Sequence, residues 1–207
     1  MKRSNLAPRR RSGTRRFAGR AQKDRILDPY QAQQKLHEGT ICPQCSAVYR
    51  HGRWQWATRM EAAHEQLCAA CRRINDNFPA GIVMLRGDLA REHKDQIISL
   101  ARHQEEAEKK EHPLNRIMSI DEDTQGIVIN TTDIHLPRRI GEAVKHAFHG
   151  EIDAHFDEDG YFVRVDWTPE AELLAKRARA EELSPEQRVE LAQQIEAKRL
   201  RGKPPSI

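Results

Sequence analysis

No run of apolar residues in the 207-residue chain approaches the ~20 that a membrane-spanning helix needs, which excludes a helical integral membrane protein. The first residues hold no apolar core of the kind a signal peptide carries, so a cytoplasmic rather than a secreted protein is expected. There is no phosphate-binding glycine loop and no nucleophile-elbow motif, and no catalytic constellation stands out, so a non-enzymatic protein is expected. Aromatic residues are scarce, at 5%, and hydrophobic residues reach 38% against 32% charged. With a mean hydropathy of −0.82, such a chain builds a small core and leaves long segments in water. Cysteine is also rare. Four cysteines in a chain not expected to be secreted point to metal ligands or redox thiols before disulfides.

The charge is distributed unevenly. Residues 1–25 carry ten Lys/Arg, among them Arg9, Arg10, Arg11, Arg15 and Arg16, against Asp24 alone, a net of +9. The whole chain is only +4, and residues 79–167 hold 18 Asp/Glu against 11 Lys/Arg, a net of −7. A basic arm ahead of an acidic body implies a polyanionic partner reached mainly through the arm. Four parts follow: a disordered basic arm over 1–30, a cysteine module over 31–78, an α+β domain over 79–167 and a helical extension over 168–207.

The cysteines are spaced Cys42-Pro-Gln-Cys45, then twenty-two residues, then Cys68-Ala-Ala-Cys71. Two C-x-x-C turns complete a tetrahedral site, and four thiolates leave no open position, so a structural zinc in a small ribbon-like module is expected. His64 lies four residues before Cys68 and is expected at the surface or behind the ligands. Between the two pairs, Gly52 suits a hairpin turn, with Trp54 and Trp56 on one face of the following strand. Aromatic rings beside Arg50, Arg53 and Arg59, with Arg72 and Arg73 after the last cysteine, suit RNA: rings stack on unpaired bases and guanidiniums hold phosphate. The competing role for one or both indoles is to cover the metal knuckle, since so small a module has little other core.

Periodicity in residues 79–167 predicts an α+β domain of order β-α-β-β-α-β-β. A strand at Gly81–Arg86 leads to a helix from about Leu89 to Lys110, closed by Glu111-His112-Pro113. A hairpin joins Arg116–Ile120 to Ile127–Thr131 through a turn at Asp121–Gly126. Thr132 or Asp133 caps a second helix begun by Pro137 and stopped near Gly150, and strands follow at Glu151–Phe156 and Tyr161–Trp167. This order resembles a ferredoxin-like split motif with one extra strand. Thr168-Pro169-Glu170 and Ser184-Pro185-Glu186-Gln187 each read as a helix start.

Several stretches together resemble a bacterial group related to the nonsense-mediated-decay export-adaptor family. They are the two cysteine pairs, Gly52-Arg53-Trp54-Gln55-Trp56, Phe78-Pro79-Ala80-Gly81, Glu111-His112-Pro113-Leu114, Thr131-Thr132-Asp133-Ile134-His135-Leu136, Arg138-Arg139-Ile140-Gly141-Glu142-Ala143 and Val163-Arg164-Val165-Asp166-Trp167. The resemblance spans about residues 40–167 and implies a zinc protein that sits on the large ribosomal subunit. Its partner is then ribosomal RNA or a ribosomal protein, in assembly, storage or stress-linked hibernation. The chain departs from the eukaryotic members in having cysteines for one metal site only and no export signal. A stress-associated protein-interaction module without a nucleic-acid role is the alternative.

Overall fold

Alternation with period two builds the larger of two sheets. Val83 and Leu85 of β3 (Gly81–Arg86), Ile127 and Ile129 of β5 (Gly126–Thr131), and Val163, Val165 and Trp167 of β7 (Val163–Thr168) point into one core and are buried. Two further strands, β4 (Ile117–Asp123) and β6 (Glu151–Phe156), form the edges, in the order β4-β5-β3-β7-β6. β3 runs antiparallel to β5 and parallel to β7, and β6 returns antiparallel along β7. The protein is therefore a mixed α+β structure with a five-stranded mixed sheet. This computed structural model describes residues 28–30, 35–58, 64–123, 126–157, 160–182 and 193. Arg9, Arg10, Arg11, Arg15 and Arg16, Arg59 and the helix start at Ser184 lie outside the described residues.

Helices α3 (Lys94–Glu111) and α4 (Leu136–Phe148) pack side by side against the inner face of the sheet. Ile97, Ala101, Leu136, Ile140 and Val144 supply their contribution to the core. Ile140 is fully buried at the centre of α4, so Ile140→Ala is expected to cost about 2–5 kcal/mol. Urea denaturation measures that loss directly, and a cost under about 1 kcal/mol contradicts the packing described. The opposite sheet face presents Ile82, Met84, Val128, Asn130, Arg164 and Asp166, all half-buried.

Three details differ from the expected pattern. The first helix is broken: α2 (Asp88–Glu92) stops at His93, whose ring packs on Phe148 at 5.3 Å, and α3 restarts at Lys94. The acidic run Asp121-Glu122-Asp123 belongs to β4 and not to the turn. β5 can begin at Gly126 because a Cβ there would stand 2.0 Å from the Leu85 carbonyl oxygen; only glycine allows the strands so close. Elsewhere among the described residues the expected elements form. α4 ends before Gly150, and α5 (Glu170–Glu182) starts after Pro169.

Candidate metal centre

The first cysteine pair is held by its own backbone. Cys42 N–H donates to the Ala47 carbonyl and Ser46 N–H to the Cys42 carbonyl, both at 2.8 Å, which closes a tight knuckle around Cys45. Ser46 has φ of 63°, the left-handed region where glycine is at ease. The chain then forms a hairpin of β1 (Val48–Arg50) and β2 (Arg53–Gln55). Its two turn residues, His51 and Gly52, both have positive φ, as a type I′ turn requires.

The second pair departs from the expected ribbon. It lies not on a strand turn but at the start of α1 (Ala69–Asp76), where Cys68 is the N-cap and its sulfur accepts the Cys71 N–H at 3.4 Å. Knuckle, hairpin and helix start together converge on one point. The helix N-terminus adds its positive end to the sulfurs and favours thiolate over thiol.

The four sulfurs lie within 4.8 Å of one another, and Cys45 Sγ and Cys68 Sγ are 3.7 Å apart. Four ligands ~2.3 Å from a tetrahedral ion stand ~3.8 Å apart, so this donor set matches a Cys₄ site, while a disulfide needs ~2.05 Å. Cys42, Cys68 and Cys71 are buried and all four cysteines are free. Among the described residues this is the one cluster of His, Cys, Asp and Glu able to close around a metal ion. The Cys45–Cys68 hydrogen bond holds Cys45 well below the usual thiol range and, with burial, pushes Cys68 up. Burial pushes Cys71 up.

A residue from the α+β body completes the centre. Arg116, between α3 and β4, reaches Cys68 Sγ at 3.4 Å and Cys71 Sγ at 3.3 Å through Nη2. It is 9% exposed, and Thr132 fixes its backbone by accepting its N–H at 2.9 Å. Leu114 of the same loop packs on the cysteines beside Trp54 and Leu67. Nothing in the sequence marked Arg116: a single arginine ahead of a strand carries no spacing signal, and its role exists only once the two parts of the chain dock.

The expected RNA-facing residues separate into distinct groups. Trp54 packs against the cysteines and meets Tyr49 edge-on, so it covers the knuckle. Trp56 lies just past β2 and is 41% exposed, with Nε1 donating to the Lys109 carbonyl at 2.5 Å. Arg50 and Arg53 pair across the turn end of the hairpin, and their guanidiniums have no partner among the described residues. Arg72 is exposed and lies over the Tyr30 ring. Arg73 corrects the expectation. It is 1% exposed, ion-paired with Asp28 at 2.6 Å and stacked on Tyr30, because it ties residues 28–30 to α1; it has no surface to offer phosphate. Asp28 and Tyr30, placed in the arm on composition, are thus part of the folded module. His64 is exposed and stacks on His37, away from any ligand role. Asp133, in the loop before α4, caps that helix by accepting the N–H groups of His135 and Leu136.

No helix among the described residues is long and apolar enough to cross a membrane. Compared with known protein families, curated proteins and solved structures, the chain matches none.

Proposed function

We propose that the chain is a non-enzymatic cytoplasmic adaptor, stabilised by zinc in its Cys₄ site, that binds structured RNA on the large ribosomal subunit. Zinc suits four sulfurs at this spacing in a closed site. Its body is then a variant of the ferredoxin-like split motif, with β7 entering the sheet between β3 and β6. The ribosomal assignment follows the resemblance to the export-adaptor group, and ribosome storage or assembly is the role it implies.

The observation that carries the RNA reading is Trp56. Its ring edge is pinned to α3 while 41% of its surface stays open. A pinned aromatic ring with an open surface is a stacking platform for an unpaired base. The arm supplies sequence-independent attraction, the hairpin chooses the site, and the acidic body stays off the RNA over most of its surface.

Co-sedimentation with ribosomes tests this, with metal content and thermal melting followed in parallel. Trp56→Ala is expected to keep metal and fold and to lose about tenfold or more of its preference for ribosomal particles, since stacking is worth ~1–3 kcal/mol per base. Trp54→Ala is expected to lose stability instead. Deleting residues 1–25 should flatten the dependence of log K on log salt by ~0.7–0.9 for each phosphate that the arm neutralises. If the parent protein never travels with ribosomes or subunits, in growth or stress, the ribosomal reading fails and the protein-interaction reading replaces it.

A further inference from the structure

On the far side of the Leu114–Arg116 loop from the cysteines, an open groove of about 960 Å³ runs between the last turns of α3 and the first turns of α4. Three stretches singled out in the sequence meet there. Glu111-His112-Pro113 contributes His112, Thr131–His135 contributes His135, and the Arg138-Arg139 pair faces them from α4, with His146 further along.

The groove has an organised floor. Glu108 is 7% exposed, accepts Arg139 Nε at 2.7 Å on one carboxylate oxygen and Asn115 Nδ2 at 3.0 Å on the other. Its charge is neutralised, and it holds the Arg139 guanidinium in place. The Arg139 Nη groups and the whole Arg138 guanidinium have no protein acceptor among the described residues. Four other cations of this acidic body are matched by acids: Arg91 with Asp88, Lys94 with Glu122, Arg102 with Glu105, Arg164 with Asp166. Two arginines with open donors, three imidazoles and the positive end of the 13-residue α4 therefore stand together in a region whose net charge is −7. Glu142 is the one lining acid outside the Glu108–Arg139 pair.

We infer that this groove binds a phosphate group, held by Arg138 and the open edge of Arg139 with the histidines at its rim. Arginine forks match phosphate oxygens in pairs, and a buried carboxylate behind one fork fixes its direction before the ligand arrives. The ligand is a free phosphate ester or a phosphate of an RNA backbone. The inference does not rest on the hairpin's reading of RNA.

Histidine-ring NMR spectra of the metal-loaded full chain test it, at constant pH, with inorganic phosphate, adenosine monophosphate and an octauridylate as probes. At least one probe is expected to move the His112, His135 and His146 signals saturably at concentrations up to about 10 mM. Movement by the first two probes identifies a free phosphoryl ligand; movement by octauridylate alone identifies a backbone phosphate. Arg138→Gln is expected to weaken binding about tenfold, and His135→Ala to weaken it too while sparing α4, because the His135 side chain makes no capping bond. Glu142→Gln is expected to tighten binding, by up to about fivefold. Trp56→Ala is expected to leave the response to phosphate unchanged even if it abolishes ribosome binding. The inference is overturned if none of the probes moves these signals saturably, or if both weakening variants, folded and metal-loaded, bind like the parent.

Discussion

Cys68→Ser is expected to strip the metal and unfold residues 40–75. The substitution is informative because Cys68 has three roles. Its sulfur is one of four ligands, it caps α1 by accepting the Cys71 N–H, and it accepts Arg116 Nη2. Serine preserves the second role, being among the best N-cap residues, and can still accept a hydrogen bond from the guanidinium. What it removes is the thiolate. Ala70, Trp54, Leu67 and Leu114 on the cysteines, with Ile41, Ala47 and Val48 also buried in the module, are too little to hold a hairpin and an eight-residue helix alone. Metal affinity is therefore expected to provide the folding energy of this module, on the order of 10 kcal/mol if the ion is a structural zinc. Elemental analysis of the parent protein should find about one zinc per chain. Hydrogen exchange on the variant should show protection lost over 40–75 and kept in β3, β5 and β7, whose core is separate. A serine variant that retains both metal and protection, or a parent purified without chelator that carries less than about a third of an equivalent, contradicts the metal reading.

The elements that were legible in the sequence are those with a local cause. Pro137 starts α4, the alternation Val163-Arg164-Val165-Asp166-Trp167 makes β7, and Gly52 turns the hairpin, each through the preferences of its own residues. The four-cysteine cluster was legible for the same reason, since the spacing within each pair is short-range. What sequence could not supply is proximity between distant parts of the chain. That the second cysteine pair sits on a helix, not a strand turn, follows from Cys68 capping α1, a role that its residue type does not advertise. Arg73 reads as one more surface charge until Asp28, forty-five residues earlier, is placed beside it. The two tryptophans look equivalent in the sequence, yet the hairpin directs Trp54 onto the cysteines and leaves Trp56 at the rim. The groove combines residues from 104 to 156; some of its stretches stand out in the sequence, but nothing there brings them together.

Arg116 marks the point where the module and the body become one structure, and replacing it is expected to loosen the metal without removing a ligand. A divalent ion with four thiolates has a net charge of −2, buried where water cannot compensate it. Among the described residues, Arg116 is the side chain seen donating to these sulfurs, to Cys68 and Cys71 together. A hydrogen bond to a charged acceptor contributes about 1.5–3 kcal/mol, so its loss should speed metal transfer to a competing chelator by about 10- to 150-fold. Arg116→Met separates charge from packing, because it keeps much of the side-chain length and none of the donors. Arg116→Lys keeps the charge but not the planar guanidinium that sets Nη2 between the two sulfurs, and an intermediate rate is expected. The reverse effect should also appear. Removing the metal leaves a buried guanidinium facing thiols instead of a dianion, and Thr132, which holds the Arg116 backbone, opens the loop that leads into α4. Chelation of the parent should therefore raise exchange at Thr132 and His135 as well as in the knuckle, while in Arg116→Met that propagation should be lost. Metal release from Arg116→Met at the parent's rate means that the guanidinium is only a spacer between two independently stable parts.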